Sequence, residues 1–229
     1  MNANALAYDL AHEWLVHSRA VPAASALVER AYFELQRLAA LVLFVVVSPL
    51  MLTTAFLMWA QHGRPILFGH YRVGRNGCLF KCWKFRTMVP DAERVLAELL
   101  KSDPAARDEW ARDQKLRNDP RVTKIGAWLR YTSLDELPQL INVMRGEMAL
   151  VGPRPVTVRE LARYGDCKRH YMFVRPGITG LWQVSGRNDV TYEKRVQLDR
   201  AYVESRSLSG DLAILLRTVR VVLKREGAH

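Results

Sequence analysis

The sequence predicts a helix-rich α+β protein with one helix able to enter a membrane, and three observations carry that reading. Residues 38–60 (LAALVLFVVVSPLMLTTAFLMWA) run for 23 positions without a charge. Residues 65–68 and 78–85 read as short strands, the second alternating apolar, aromatic and basic side chains (CLFKCWKF), with Gly74 and Gly77 marking the turn between them. Helical patterns follow over 90–101, 105–116, 121–131, 136–145, 155–164, 191–206 and 209–226. With 49% hydrophobic and 25% charged residues, the 229-residue chain has ample material for a core, which excludes general disorder. Cys78, Cys82 and Cys167 are too few and odd in number for a disulfide scaffold. One long apolar run also excludes a polytopic membrane protein.

Taken in chain order, residues 1–23 suit a surface helix, with Leu6, Leu10 and Trp14 at four-residue spacing. His12-Glu13 and His17 resemble a zinc-binding helix only at first sight. A spacing of five turns the second imidazole about 140° away from the first. The apolar run would be about 34 Å long as a straight helix, against a hydrocarbon core of about 30 Å. It begins too late for a signal peptide and is preceded by acids rather than a basic stretch. Pro49 removes one helical hydrogen bond at its centre, so a break is expected at Ser48-Pro49, with the Ser48 hydroxyl as a local partner for freed backbone. Two arrangements satisfy this: a kinked transmembrane helix, or a hairpin that dips into one leaflet and returns. In either case Arg64, Arg72 and Arg75 put the following segment on the cytoplasmic side. The chain thus divides into residues 1–62, carrying the membrane helix, and residues 63–229, a cytosolic body. Without histidine partners, Cys78 and Cys82 are expected to pack rather than bind metal. In the last helix, Leu212, Leu215, Val219 and Val222 form a stripe beside Arg217, Arg220, Lys224 and Arg225. That pattern suits both an interfacial membrane helix and a helix covering the core.

The charge is uneven. The net charge is +11, yet residues 1–60 carry three arginines against four acids, leaving +12 on the remainder. Such a body calls for an anionic partner: nucleic acid, a phosphorylated substrate or an acidic membrane surface. No GxxxxGK[ST] or GxGxxG loop is present, which argues against a P-loop or dinucleotide site.

Three stretches are dense in chemistry: KFRTM (84–88), TSLDELPQLINVMRGEMALVGPRP (132–155) and RPGITGLWQVSGR (175–187). Ser133-x-x-Glu136 matches a capping box, but Pro138 would then fall where a helical N–H is needed. If Asp135 is the cap instead, Pro138 falls where no partner exists, and the helix dipole favours the Asp135 anion. An ionised carboxylate among cations is a nucleophile toward phosphorus or a Mg²⁺ ligand. Arg154, fixed between Pro153 and Pro155, presents a fork suited to phosphate. Lys84 and Arg86 add charge at a strand end. Arg175-Pro176-Gly177 and Gly180 mark a loop that backbone or ligand can approach closely, with Gln183, Ser185 and Arg187 nearby.

On these residues the chain resembles the bacterial sugar transferase family, the monotopic phosphoglycosyl transferases that begin glycoconjugate and exopolysaccharide assembly. All three motifs stand together and in family order, and the likeness runs from about Arg30 to the C-terminus. The pattern is that of the short form, without the four-helix region preceding this domain in longer relatives. The resemblance implies a bacterial inner-membrane enzyme with its catalytic domain on the cytoplasmic face, carrying a small β-element and amphipathic interfacial helices. It implies attack by Asp135 on the sugar-bearing phosphate of a UDP-sugar, release of UMP, and passage of the phosphosugar from the aspartyl intermediate to undecaprenyl phosphate. Glu136 would complete the acidic dyad. Mg²⁺ would assist at the leaving diphosphate, held by Asp135 with Glu136. Arg154, Lys84, Arg86, Arg175 and Arg187 would bind substrate phosphate. Gln183, Asp199 and Asp211 stand as further site residues. Ser48-Pro49 matches the family's break, which favours the re-entrant hairpin over the spanning helix. One departure concerns the family's Lys-Arg-x-x-Asp before the apolar run, which here reads Glu29-Arg30-Ala31-Tyr32-Phe33-Glu34 and weakens the positive anchor. The oligomeric state stays open, a homodimer included. Two other classes compete. A nucleic-acid module has only Trp83-Lys84-Phe85-Arg86 in its favour, and an inert scaffold is opposed by the intact Asp135-Glu136 pair.

Overall fold

A computed structural model describes residues 23–113, 116–186 and 190–224; residues 1–22, with the expected surface helix, and Arg187 lie outside them. The architecture is helix-rich α+β with two small two-stranded sheets. Helix α1 (Ala23–His62) is followed by strands β1 (Leu67–Val73) and β2 (Leu79–Phe85), helices α2 (Ala92–Ser102), α3 (Pro104–Asp113), α4 (Lys124–Thr132) and α5 (Gln139–Met144), and strand β3 (Ala149–Val151). Helices α6 (Val158–Ala162) and α7 (Lys168–Phe173), strand β4 (Gly177–Thr179) and helices α8 (Tyr192–Ser205) and α9 (Leu208–Lys224) complete it.

Helix α1 is the one described helix long and apolar enough to cross a membrane, by length and composition. Its helical assignment runs through Ser48-Pro49. Pro49 cannot donate to the Val45 carbonyl, and the Ser48 hydroxyl takes that place at 2.8 Å. One face of α1 packs on the body along its length. Ala40, Phe44 and Val47 meet Phe80, Cys82, Leu140, Val143 and Met148. Beyond the proline, Met51, Ala55 and Met58 meet Phe85 and Leu129. The opposite face leaves Leu38, Val42, Val46, Leu52 and Phe56 exposed.

Strands β1 and β2 form an antiparallel hairpin with Leu67 opposite Phe85 and Val73 opposite Leu79. The first strand runs five residues beyond its expected end because His70, Tyr71 and Arg72 continue the pleat. Cys82 is buried, and Cys78 is exposed just before the strand. Burial pushes the Cys82 thiol up to about 11, in keeping with a packing role. The parallel pair β3–β4 was not expected, since three residues are too few for a period-2 signal. The same brevity hid α7. Helix α9 covers the core with one face: Ile214 and Leu215 join a core cluster with Val151 and Tyr202, while Leu208, Leu212, Leu216 and Val219 stay exposed. Leu212 and Leu215 therefore turn to different surroundings.

Candidate active site

Asp135 and Glu136 lie on a single 3₁₀ turn, Leu134–Glu136, between α4 and α5. Neither capping scheme read from the sequence holds. Ser133 takes a left-handed conformation (φ 58°) and makes no side-chain cap, and Pro138, not Asp135, occupies the N-cap position of α5. Asp135 therefore owes little to a helix dipole, and burial dominates. The residue is only 8% exposed, which pushes its carboxyl up to about 6. Lys84 and Arg130 pull in the opposite sense, and Glu136 adds to the rise.

Lys84 bridges the acids. Its ammonium lies 2.5 Å from Glu136 Oε1 and 3.7 Å from Asp135 Oδ2. Strand β2 delivers it through Asn142, which is 0% exposed. The Asn142 amide accepts from Trp83 N–H at 3.0 Å and donates to the Lys81 carbonyl at 2.8 Å and to Glu147 at 2.6 Å. One side chain thus fixes α5 to the strand carrying Lys84. The other side is fixed through Thr87, whose carbonyl accepts from Thr123 N–H at 3.0 Å. Thr123 caps α4 through Gly126 N–H. Gly126 is required there, because a Cβ would lie 2.0 Å from the Thr87 carbonyl oxygen. Arg130 donates to the Thr87 hydroxyl at 2.9 Å, and burial lowers its pKa. Neither Asn142 nor Arg130 was singled out from sequence. An isolated Arg in a helical pattern reads as a solvated charge, and an Asn reads as loop or surface.

Arg86 sits two residues past Lys84. Only 7% exposed, it donates to the carbonyls of His62 and Gly63 at 3.2 and 3.3 Å and so ties the end of α1 to the foot of the hairpin. Arg154 follows β3 in the Gly152–Pro155 loop, which Gly177 crosses so closely that a Cβ there would lie 2.1 Å from Gly152 N. Its guanidinium lies 5.7 Å from the Trp182 ring, and Arg195 lies 4.8 Å from the same ring. The Cys82 thiol feels Lys84, Glu136 and Arg154 together. Behind Arg154, Asp199 is 2% exposed and accepts from the Tyr164 hydroxyl at 2.8 Å. Burial pushes it up to about 7, offset by that hydrogen bond and then by Arg154. Its Oδ1 and the Gln183 Oε1 are buried without a protein partner.

Two expected site residues lie elsewhere. Arg175 stacks on Phe33 of α1 and donates to the Gly146 carbonyl. Asp211, pushed up to about 7 by burial, accepts from the Tyr32 hydroxyl on α1. Among the described residues, no group of three or more His, Cys, Asp or Glu side chains stands ready to hold a metal. Asp135 and Glu136 alone offer the one or two carboxylates that Mg²⁺ takes from protein when substrate phosphates and water supply the rest.

Comparison with known proteins bears on this arrangement. Residues 29–225 match the family described as bacterial sugar transferase. The chain is 52% identical to the undecaprenyl-phosphate galactose phosphotransferase of Salmonella typhimurium, over 82% of this chain and 40% of that protein. It is 49% identical to the exopolysaccharide production protein ExoY of Rhizobium meliloti, over 84% of this chain and 85% of the other. It is 38% identical to the UDP-glucose:undecaprenyl-phosphate glucose-1-phosphate transferase of Escherichia coli, over 79% of this chain and 37% of that protein. The chain thus spans about two fifths of the length of the Salmonella relative and most of ExoY. A match across nearly the whole described body, with the dyad and its cations inside it, makes the chain a member of the bacterial sugar transferase family.

Proposed function

We propose that this protein transfers a phosphosugar from a UDP-sugar to undecaprenyl phosphate and so performs the first membrane step of exopolysaccharide or glycoconjugate synthesis. The observation that carries the reading is Asp135, buried beside Glu136, Lys84 and Arg130, at the foot of a hairpin tied by Arg86 to the end of an apolar helix. The relatives named for undecaprenyl-phosphate sugar transfer support it.

The Asp135 carboxylate attacks the sugar-bearing phosphorus. The bond from that phosphorus to the bridging oxygen breaks, and UMP leaves with the electron pair. A phosphate oxygen of the lipid then attacks the same phosphorus and frees the Asp135 carboxylate. Lys84 lowers the cost of ionising Asp135 in a desolvated site, and Glu136 holds the Lys84 ammonium in place. Arg154 and Arg195, framed by Trp182, supply positive charge for the diphosphate. Two sequential steps let one phosphate site serve donor and then acceptor, which suits the +12 body. Asp135 and Glu136 would hold Mg²⁺, which when bound would neutralise the charge that develops on the phosphate of the leaving UMP.

The re-entrant reading places α1 in one leaflet of the bacterial inner membrane, with the body on the cytoplasmic face. Packing supports it, because both halves of α1 rest on the same body. The exposed apolar faces of α1 and α9 then meet lipid. A nucleic-acid platform draws no support from Phe85, which is buried in the core rather than free to stack on bases.

The test is direct. Detergent- or nanodisc-held protein is incubated with a panel of UDP-sugars and Mg²⁺, and UMP and a covalent mass on the Asp135 peptide are measured. Asp135→Asn abolishes both; turnover retained by that variant rejects the nucleophile assignment. For topology, single cysteines before and after α1 are labelled from each side of the membrane. Labelling from opposite sides excludes the hairpin.

A further inference from the structure

A cavity of about 510 Å³ opens at the tip of the β1–β2 hairpin, away from the dyad. Five arginines (Arg30, Arg37, Arg75, Arg145 and Arg175) line it, against two glutamates, Glu29 and Glu34. They arrive from α1, the hairpin turn, the end of α5 and the loop before β4, so their grouping exists only in the folded chain. Two are pinned through Nε: Arg37 donates to the Met144 carbonyl at 3.0 Å, and Arg175 to the Gly146 carbonyl at 2.9 Å. Arg175 is held further by its guanidinium, 3.6 Å from the centre of the Phe33 ring. Glu29 pairs with Arg75 at 3.3 Å and Glu34 with Arg37 at 2.9 Å. Among the described residues, no ion pair engages Arg30, Arg145 or Arg175. Burial lowers the pKa of Arg175, and the Arg75 charge is the next cause in the same direction. Cations therefore crowd one another in a partly desolvated space, and an anion seated among them relieves that repulsion.

We propose that this cavity binds a phosphate oxyanion, either the phosphodiester of an anionic lipid headgroup or free inorganic phosphate, as a site separate from the dyad. None of the residues that line the cavity belongs to the Asp135, Glu136 and Lys84 cluster. Guanidinium forks from several directions suit the oxygens of a tetrahedral anion, and the volume is that of a small-ligand site. Arg37 immediately precedes the apolar run, so under the hairpin reading the cavity lies at headgroup height. The lipid source rests on that reading; the phosphate chemistry does not.

The test uses the full chain and two probes. In detergent at constant ionic strength, inorganic phosphate raises the thermal midpoint of the wild type by about 2–4 °C. R30Q/R145Q loses most of that rise, while the charge-matched control K101Q/R112Q keeps it. Asp135→Asn also keeps it, which separates this site from the transfer chemistry. In nanodiscs of phosphatidylcholine with and without phosphatidylglycerol, a rise that depends on phosphatidylglycerol and is lost in R30Q/R145Q alone assigns the lipid headgroup. A response to phosphate without one to phosphatidylglycerol assigns the free anion. No rise in the wild type with either probe, or equal rises in R30Q/R145Q and the control, overturns the proposal.

Discussion

Asp135 and Asp199 are both sealed from water, at 8% and 2% exposure, yet their surroundings differ in kind. Asp135 has an ammonium 3.7 Å away and the charge of Arg130 on the preceding helix, and its carboxyl rests at about 6. Asp199 has a tyrosine hydroxyl as its bonded partner and only the more distant field of Arg154, and it rests at about 7. Burial raises both. What separates them is whether cations stand close enough to restore the anion at neutral pH. A nucleophile needs that; a carboxyl holding Tyr164 against α8 does not.

The largest expected effect tests the comparison itself. Asp135→Asn lowers the rate of UMP release by about 10⁴-fold or more, the scale of removing a covalent nucleophile. Asp199→Asn keeps the rate within about tenfold of wild type, because amide and carboxyl both accept from Tyr164. Equal losses in a UMP-release assay would erase the distinction.

Next comes the clamp that serves only one of the two. Asn142→Ala leaves the Trp83 N–H, the Lys81 carbonyl and Glu147 without their buried partner, at a cost of about 2–3 kcal/mol. Thermal unfolding in detergent reads the loss. UMP release falls as well, since Lys84 is no longer held against the dyad. A drop in stability with unchanged turnover would limit Asn142 to packing.

Stability against pH gives the third prediction. An acid whose folded pKa lies above its unfolded value binds its proton more tightly when folded. Its contribution is most favourable below about pH 4 and is lost as pH rises through the folded value, about 7 for Asp199. Asp199→Asn therefore stabilises the protein at pH 8, by on the order of 2 kcal/mol, and the gain disappears toward pH 4. A gain that grows on acidification would have the wrong sign. Smallest is the effect of Lys84 on the pH–rate profile. The kcat/KM of the wild type rises with pH through about 6 as Asp135 ionises. Lys84→Gln moves that limb upward by about one unit, and an unmoved limb would mean that Lys84 does not act on Asp135.

The acid pair, Arg154 between its prolines and the proline inside the apolar helix were legible because each is written in consecutive residues, although the helix continues through Ser48-Pro49 rather than ending there. Asn142 and Arg130 were not, since their roles exist only where β2, Thr87 and α5 converge. Arg86 and Arg175 carried the right charge, but one holds the end of α1 and the other lines the arginine cavity. Helix dipole arguments misjudged Asp135 for a related reason. Its turn is 3₁₀, not the start of α5, and the depth at which it is buried depends on chain segments far from it in sequence.

By itself, the sequence determined the long apolar helix with its proline, the amphipathic helices around it, the basic body and the acid pair. These follow from local composition and period, which act within a turn or two of chain. Tertiary structure alone decided which cations face Asp135, which face of α9 meets the core and where five arginines gather. Each of those depends on distance through space, and Coulomb attraction, burial and hydrogen bonding are all set by that distance rather than by separation along the chain.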